Sequence, residues 1–547
     1  MKDLILKYAL ANAVKFNGKA NPGAVIGAVF GLDPELKKKA KEIGQEVAKV
    51  VKEVNAMSLD DQKAKLDSLG GVEEKKNVLR EGLKELKNAV KGKVVMRFAP
   101  SPSGPMHIGH AMTGGLTSLY CKKYDGKFIL RIEDTNPGNI YPDAYKMIPD
   151  EADWVFGNVS EVWIQSDRMK IYYKYLEKLI KLNSCYVCTC SQEQFKEKSK
   201  NKEDCPCRKL DVKENQERWK KMLDKKGYKE GEVVVRFKSG MQDKNPAMRD
   251  FPLARINENE HPRQGDKFRV WPLMNLSVTV DDIEAGMTHI IRAKEHADNS
   301  KRQEKMFKVL GKKFPETYFL GRYNFTGLQI SCSKTKEKIE KGEFSGWDDI
   351  RLPFIAALRK RGLRPEAFMK FTEEVGISNV DKSMSGEEYF KKIYSFNKEI
   401  LDPISKRFFF VEGSSKVKIK HCLKEVSVPN HPEKDLGNRK LGLTEEFYVK
   451  DKIGKGVYRF MHLFNFSDLK FVSAEYDAEL KAKIIHAVPV EGAVDVEVLM
   501  DDGKVLKGKG EKALTTLSEG SVVQFERFAF VRLDKKGKTL RFVYTHG

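Results

Sequence analysis

The sequence predicts a multidomain protein in which an α/β region is followed by a β-rich C-terminal region. Between residues 94 and 310, short apolar runs alternate with helix-compatible segments, which is the pattern of strand–helix–strand units in a parallel sheet. From residue 386 onward, short alternating runs are separated by Gly, Asn and Pro, which favours β-barrels. At 547 residues the chain is long enough for about three or four domains.

Changes in this pattern divide the chain into six segments. Asp33-Pro34-Glu35 predicts a helix start in the first segment, and Ser58 predicts a helix N-cap there. Residues 268–280 are apolar and rich in β-branched side chains, which predicts a strand. The segments are a helical N-terminal extension (1–93), the first half of the α/β core (94–185), an insertion (186–265), the second half of the core (266–325), a loop and helical region (326–385) and the β-rich region (386–547).

One stretch, residues 96–120, organises the α/β core. Apolar residues up to Ala99 predict a buried strand, and three prolines between residues 100 and 105 force a tight loop. From His107 the sequence is compatible with a helix. A strand, a tight loop and a helix in this order direct the free N–H groups of the helix N-terminus toward an anion.

Two histidines mark the start of this helix. His107 and His110 are three residues apart and therefore share one face of the first turn. Two imidazole donors beside a positive helix end suit a polyphosphate whose charge grows during a reaction. Gly109 lacks a side chain, so a flat group can approach the backbone closely. The alternative, that both histidines are helix caps or solvated surface groups, remains open from the motif alone.

Four cysteines in the insertion indicate a metal site. Cys188-Thr-Cys190 and Cys205-Pro-Cys207 provide two close pairs of thiolates, which can close a tetrahedral zinc site and order a lysine-rich segment. The alternative is a set of free surface thiols.

Composition restricts the class of protein. The formal net charge of +22 favours a polyanionic partner or an acidic substrate. No apolar run approaches the roughly 20 residues that a membrane span needs, so no membrane partner is expected. The N-terminal sequence lacks the pattern of a signal peptide, and the clustered cysteines favour a reducing compartment over disulfides. We therefore expect a cytoplasmic protein.

The motif His107-Ile108-Gly109-His110 resembles the first signature of the class I aminoacyl-tRNA synthetases. The preceding Arg97-Phe98-Ala99-Pro100-Ser101 and the later Arg131-Ile132-Glu133-Asp134-Thr135 look like the glutamyl branch of that family, because the glutaminyl branch usually has Pro-Pro-Glu-Pro-Asn-Gly and Arg-Phe-Asp-Asp-Thr there. Ile330-Ser331-Cys332-Ser333-Lys334 is similar to the second, lysine-rich signature, with Cys332 and Gln329 in place of its two lysines.

The resemblance implies a fold and a reaction. The fold would be a class I Rossmann-type catalytic domain with an acceptor-binding insertion, a helical stem-contact region and a β-barrel anticodon-binding domain of the archaeal type. The reaction would join L-glutamate to ATP, used with Mg²⁺, and then pass the glutamyl group to tRNA(Glu). Zinc in the insertion would be structural.

The resemblance also implies roles for single residues. His107, His110 and Lys334, with Gly109, would be catalytic, and Lys336 is an alternative source of the loop cation. Two arginines facing a carboxylate would explain selection against glutamine. Met274 departs from the family, in which many members have a Tyr in the amino-acid pocket. ATP would be bound by His107, Gly109, His110, Ile330, Ser331, Ser333 and Lys334, and glutamate by Arg97, Ser101, Glu133 and Arg292.

Several alternatives stay open at this point. The chain could be a glutaminyl enzyme, or an inactive tRNA-binding paralogue, because two lysines of the second signature are replaced. For Glu133, the alternative to a contact with the substrate ammonium is an ordinary turn. The basic cluster Arg359-Lys360-Arg361 fits either phosphate contacts or a solvated helix face. The sequence does not decide whether tRNA(Gln) is also a partner, nor the oligomeric state.

Overall fold

The computed structural model describes residues 2–32, 36, 39–70 and 82–547. The chain divides into two compact units, one up to Glu81 and one from Gly82 onward. The N-terminal unit contains α1 (Lys2–Lys15), α2 (Pro22–Leu32), α3 (Ala40–Asn55) and α4 (Leu59–Ser68), packed around a small apolar core that includes Ile5 and Val47.

One of the two cap predictions for this unit is confirmed. The Ser58 hydroxyl accepts a hydrogen bond from the Asp61 N–H at 3.2 Å, so Ser58 caps α4. The helix start expected at Asp33-Pro34-Glu35 lies outside the described residues.

The second unit begins with a parallel α/β core. Neighbouring strands pair in parallel in the order β3-β2-β1, and β8 pairs in parallel with β9. β8 lies beside β1, because the Thr288 N–H donates to the Val95 carbonyl at 3.0 Å. The strand order reverses between β1 and β8, and ligands of such sheets bind at the carboxyl ends near that reversal. The elements are β1 (Val95–Phe98), α5 (Ile108–Lys123), β2 (Lys127–Ile132), α6 (Ala144–Phe156), β3 (Glu161–Ile164) and α7 (Met169–Lys181), then, after the insertion, α10 (Met274–Glu284), β8 (His289–Ala293), α11 (Ala297–Val309) and β9 (Glu316–Leu320).

The strand predicted for residues 268–280 is wrong over most of its length. Only Val270–Pro272 forms a strand, and α10 begins at Met274. Every residue from Asn275 to Asp282 is buried, so this helix is covered on all sides. A fully buried helix carries apolar residues all round and shows no helical periodicity, and its β-branched residues then imitate a strand.

The insertion interrupts the parallel pattern with an antiparallel sheet. Its strands pair in the order β4-β5-β6-β7. Trp219 and Phe237 are among the buried side chains that join this sheet to α7 and α9. The elements are β4 (Cys185–Cys188), α8 (Gln192–Asn201), α9 (Val212–Leu223), β5 (Val234–Phe237), β6 (Pro252–Ile256) and β7 (Val270–Pro272).

A mostly helical region follows the core. β10 and β11 pair in parallel, and α14 packs against α5. Within this region Arg361 is 4% exposed and donates to the backbone carbonyl of Thr545 at 2.8 Å and to the Tyr394 hydroxyl at 2.6 Å. Neither expectation for the basic cluster fits Arg361, because it is buried. The elements are β10 (Tyr323–Thr326), α12 (Cys332–Glu340), α13 (Ile355–Lys360), α14 (Pro365–Val375), β11 (Lys382–Ser385) and α15 (Gly386–Leu401).

The C-terminal region is β-rich, as the sequence predicts. Its largest sheet has seven strands in the order β12-β25-β26-β27-β23-β24-β13. The two end strands, β12 and β13, are consecutive in the chain and separated only by Phe409. Smaller sheets have the orders β14-β17-β22, β15-β16 and β20-β19-β18-β21. These sheets form no closed barrel in this part of the chain. The structure therefore confirms a β-rich region but not the predicted β-barrels.

The strands of this region are β12 (Arg407–Phe408), β13 (Phe410–Glu412), β14 (Lys416–Lys418), β15 (Glu425–Pro429), β16 (Asn438–Gly442), β17 (Glu446–Tyr448), β18 (Val457–Phe460), β19 (Phe464–Ser467), β20 (Lys470–Ser473), β21 (Lys483–Ile485), β22 (Val488–Pro489), β23 (Val494–Leu499), β24 (Val505–Gly510), β25 (Val522–Phe525), β26 (Ala529–Lys535) and β27 (Thr539–His546). Across the described residues, no helix combines the length and the apolar composition that crossing a bilayer requires.

Candidate active site and metal centre

The two signature histidines lie at the start of α5, where the loop from β1 ends. His107 is the N-cap, and its Nδ1 accepts a hydrogen bond from the Gly109 N–H at 3.1 Å. The His107 N–H in turn donates to Nδ1 of His110 at 3.4 Å, and the two rings stack with centroids 3.9 Å apart. A Cβ on Gly109 would lie 2.9 Å from Cε1 of His107, so the space above Gly109 is filled by the His107 ring itself.

Both rings are neutral hydrogen-bond donors. Burial lowers the pKa of His107 well below its ordinary value, and the neighbouring His110 lowers it further. Burial also lowers the pKa of His110 to about 4. Since each Nδ1 accepts from a backbone N–H, the single proton of each neutral ring resides on Nε2. The histidines therefore cap the helix and also present two Nε2–H donors.

These donors border a cavity of about 690 Å³ at the carboxyl ends of the strands. His107, Gly109 and His110 line one side of it, and Ile330 of the second signature lines another. Two cations that the sequence did not single out, Lys294 and Arg322, also contribute to the lining. Glu295 and Asp381 line the cavity as well, and Asp381 accepts from Lys294 at 2.5 Å. The imidazole donors, and not a surplus of positive charge, are therefore what suits the cavity to an anionic ligand.

The rest of the second signature lies outside the lining of this cavity. Ser331 is the N-cap of α12, and Ser333 and Lys334 are exposed in its first turn. Lys336, the alternative cation, lies 3.8 Å from Glu340. Cys332 packs against the loop after β1, where a Cβ on Gly104 would lie only 2.9 Å from its Sγ. The structure thus brings Ile330 to the histidines but leaves the signature lysine in solvent.

Two arginines are buried beside this cavity's strands. Arg97 on β1 is 5% exposed, and no nitrogen of its guanidinium has a hydrogen-bond partner among the described residues. Arg292 on β8 is 7% exposed and donates from Nη1 to Gln303 and Ser300, while its Nε has no partner in the described chain. Burial, and then the charge of Arg97, lower the pKa of Arg292 to about 10. Burial also lowers the pKa of Arg97.

A second group of buried charges lies next to these arginines. Asp282 on α10 accepts from Arg131 at 2.6 Å, and the same oxygen lies 3.7 Å from Nε of Arg97. Glu133 accepts from Arg131 at 2.9 Å. Burial alone would lower the pKa of Arg131, but the charges of Asp282, Glu133 and Asp281 outweigh it and raise that pKa. We call Arg97, Arg131, Glu133, Asp281, Asp282 and Arg292 the buried charge cluster.

The cluster contains three of the four residues predicted to bind glutamate. Arg97, Glu133 and Arg292 come together, whereas Ser101 is exposed on the loop after β1. Met274, at the first turn of α10, is 38% exposed, and its sulfur accepts from Asn299 at 3.6 Å. The described geometry therefore supports a carboxylate-binding function for the arginines and adds nothing for Ser101.

Sequence reasoning missed three residues that support the site. Asp281 is fully buried and accepts from Arg168, Gln165 and Tyr172. Asp282 joins Arg131 to Arg97, as described above. Glu151 on α6 accepts from the Met106 N–H at 2.6 Å, and burial raises its pKa to about 8. The adjacent Asp281-Asp282 pair, inside an otherwise apolar run, was the sequence signal for the first two.

The four cysteines of the insertion form one compact cluster. Their sulfurs all lie within 4.8 Å of one another, with Sγ of Cys205 at 3.5 Å from those of Cys188 and Cys190. Zn–S bonds of about 2.3 Å in a tetrahedron place the sulfurs about 3.8 Å apart, so this donor set fits zinc. Around the cluster, Thr189 and Arg218 lie 3.5 Å and 3.6 Å from the Cys207 sulfur. The alternative of free surface thiols does not describe Cys188, Cys205 and Cys207, which are buried.

The buried charge cluster generates a prediction on stability. Replacing Asp282 by Asn removes the charge between Arg131 and Arg97 while keeping the side-chain volume, and we expect a loss of about 3–5 kcal/mol in the free energy of unfolding. Glu133→Gln is the matched control, because this carboxylate contacts the same guanidinium but is 18% exposed, and it should cost less. Urea unfolding measures both. Equal stability of D282N and the parent would contradict an ionic role for Asp282.

Comparison with known proteins agrees with this geometry. The family described as "tRNA synthetases class I (E and Q), catalytic domain" matches residues 93–403. Two matches described as "tRNA synthetases class I (E and Q), anti-codon binding domain" cover residues 405–485 and 467–534. A glutamate–tRNA ligase of Methanothermobacter thermautotrophicus is 44% identical and aligns over 100% of this chain and 99% of its own length. One of Methanocaldococcus jannaschii is 44% identical, over 98% of each chain. The chain therefore belongs to the glutamate–tRNA ligases within the class I (E and Q) aminoacyl-tRNA synthetase family.

Proposed function

We propose that this chain attaches L-glutamate to tRNA(Glu) in two steps. In the first, the α-carboxylate of glutamate attacks the α-phosphorus of ATP, and pyrophosphate leaves with Mg²⁺. In the second, a hydroxyl of the terminal ribose of tRNA attacks the glutamyl carbonyl, and AMP leaves. The observation that carries the proposal is the pair of buried arginines, Arg97 and Arg292, which lie near each other and each have a buried Nε without a hydrogen-bond partner in the described chain.

The arginine pair supports glutamate over glutamine. Burial lowers the pKa of both guanidinium groups. The charge of Arg97 lowers the pKa of Arg292 further, and the charge of Arg131 lowers that of Arg97. A substrate carboxylate compensates both charges and accepts several hydrogen bonds, whereas an amide supplies no charge and only one acceptor. Glu133, at the carboxyl end of β2 and paired with Arg131, is the candidate to receive the substrate ammonium. Ser101, exposed on the loop after β1, completes the proposed set of glutamate contacts.

The histidine pair supports phosphate activation. Two Nε2–H donors on neutral rings can hydrogen-bond the phosphate oxygens without needing a proton from solution. Because the rings are fixed by their Nδ1 bonds and by stacking, they need little reorganisation as charge develops on the leaving group. The catalytic residues of the proposal are His107, Gly109, His110 and Lys334, with Ile330, Ser331 and Ser333 as further ATP contacts. Lys334 would reach the phosphates only if the second signature loop moves toward the cavity.

The remaining parts of the proposal concern tRNA and location. We assign the α/β core to the Rossmann type and the β-rich region to barrels that bind the anticodon, with the insertion and residues 326–385 binding the acceptor arm. The positive net charge of +22 supports such a polyanionic partner.

We place the protein in the cytoplasm, in keeping with eight cysteines that are all free of disulfides. Extension of charging to tRNA(Gln) is tested below.

We further propose that Cys188, Cys190, Cys205 and Cys207 hold a structural zinc ion. Contacts with Cys188 and Cys207, together with burial, raise the pKa of Cys205, because neighbouring thiolates repel each other without a cation. Zn²⁺ would remove that repulsion and tie the loop after β4 to the short turn that contains Cys205 and Cys207.

The first prediction tests the amino acid. ATP–pyrophosphate exchange in the presence of tRNA should proceed with glutamate, and kcat/KM with glutamine should be lower by about 100-fold or more. Exchange with glutamine instead would identify a glutaminyl enzyme. Binding of tRNA with no exchange for either amino acid would identify an inactive paralogue. Charging assays with tRNA(Glu) and tRNA(Gln) in parallel decide whether both are substrates.

The second prediction separates the two roles of His107. His107→Asn keeps an acceptor suited to the N-cap, so the free energy of unfolding should change by less than about 0.5 kcal/mol. The same variant lacks the Nε2–H donor, and kcat for exchange should fall about 10²–10³-fold. His107→Ala should lose both stability and exchange. Normal exchange by H107N would mean that His107 acts as a cap alone.

The third prediction concerns zinc. Purified protein should contain about one Zn²⁺ per chain, and Cys207→Ser should lower both the zinc content and the thermal stability. Cys422→Ser is the control, since Cys422 lies on the C-terminal region, outside the cluster. Metal analysis by mass spectrometry gives the ratio. Less than about 0.2 Zn²⁺ per chain would count against a structural site.

A further inference from the structure

A second cavity, of about 430 Å³, lies in the insertion between α8, β5 and α11, and we call it the insertion cavity. Five of its lining residues carry a positive charge, and none carries a negative charge. The basic residues are Lys196, Lys200, Arg236, Arg249 and Arg302, and the others are Phe195, Ser199, Pro246, Ala247, Phe251 and Pro252.

The five cations of the insertion cavity lack ion-pair partners. In the described part of the chain, none of them lies within salt-bridge distance of a carboxylate. Their neighbours on the same helices do: Lys198 on α8 contacts Glu203 at 2.6 Å, and Lys305 on α11 contacts Asp243 at 3.3 Å. The absence of carboxylates is therefore a property of the cavity and not of this surface as a whole.

Two of the guanidinium groups are held in place by neutral acceptors. Arg249 donates to the backbone carbonyls of Asp243, Ser199 and Lys244. Arg302 donates to the Ala247 carbonyl at 2.6 Å and to the Asn299 side chain at 2.9 Å. Carbonyl groups fix these side chains but do not neutralise their charge, so the positive potential in the cavity persists.

A third guanidinium lies on an aromatic ring. The Arg236 guanidinium carbon is 3.3 Å from the centroid of Phe195, and its buried Nε has no hydrogen-bond partner in the described chain. The ring orients the guanidinium plane, and Nη1 of Arg236 donates to the backbone carbonyl of Asp250 at 3.4 Å, which is again a neutral acceptor. Lys196 and Lys200, on the exposed side of α8, are free to reach a ligand at the mouth of the cavity.

We propose that the insertion cavity binds a backbone phosphate of tRNA, with Arg236 and Arg302 at its base and Lys196 and Lys200 at its rim. Fixed guanidinium groups with flexible ammonium groups around them match the tetrahedral oxygens of a phosphate. The proposal rests on the proposed function, since it takes the anion from the tRNA substrate. A free phosphate ion presents the same chemistry, and the experiment distinguishes the two sources.

The test measures tRNA binding by the full-length protein as a function of salt concentration. The double variant Lys196→Ala/Lys200→Ala should weaken tRNA binding about tenfold and lower the slope of log K against log salt by about 1 or more. Arg236→Gln should act in the same direction. Lys198→Ala is the matched control, because Lys198 lies between the two lysines but does not line the cavity, and its slope should equal that of the parent.

Two results would overturn the proposal. An unchanged salt slope in both cavity variants, with a parent enzyme that charges tRNA normally, would show that the cavity does not contact the backbone. Saturable binding of inorganic phosphate to the parent, lost in Arg236→Gln while tRNA binding stays the same, would assign the cavity to a free anion. Absence of charging by the parent would instead contradict the proposed function.

Discussion

The ionic contact between Asp282 and Arg131 is the constraint on which the amino-acid site depends. It joins α10 to β2 inside the sheet, and the same carboxylate oxygen faces Arg97 on β1. Charges at this depth are costly unless paired, so the cluster holds its elements in one arrangement. The cluster holds three arginines and three carboxylates, but its hydrogen-bonded ion pairs all belong to Arg131, and Arg292 has only neutral acceptors. A carboxylate placed beside Arg97 and Arg292 would therefore form ionic contacts that the cluster itself does not provide.

The histidine pair shows how one set of atoms serves folding and chemistry together. Each Nδ1 accepts a backbone N–H at the start of α5, a contact that stabilises the helix. That same contact fixes the tautomer, so Nε2 is left as the donor. A capping function and a ligand-binding function, which look like alternatives in the sequence, are compatible because an imidazole has two nitrogens.

The sequence predicted the features that depend on local pattern and missed those that depend on tertiary contacts. The strand and helix around His107 and the cysteine cluster follow from residues close in the chain. The sequence of the buried helix α10 imitates a strand because the helix has no solvated face. The basic run around Arg361 predicts a surface position, because the acceptors that bury it, near residue 545, are remote in sequence. The residues of the buried charge cluster come from β1, from β2 and the turn after it, from α10 and from β8, so no local motif predicts that they meet.

Helix α11 links two sites that have been described separately. Ser300 and Gln303 hold Arg292, and Arg302 on the same helix lines the insertion cavity. A helix moves as a stiff body, so a ligand that repositions Arg302 also shifts the acceptors of Arg292. Any such displacement enters the affinity for both ligands as one coupling free energy, equal in either direction. A contact with the nucleic acid and the selection of the amino acid would then be coupled through one short segment of α11, which contains Ser300, Arg302 and Gln303.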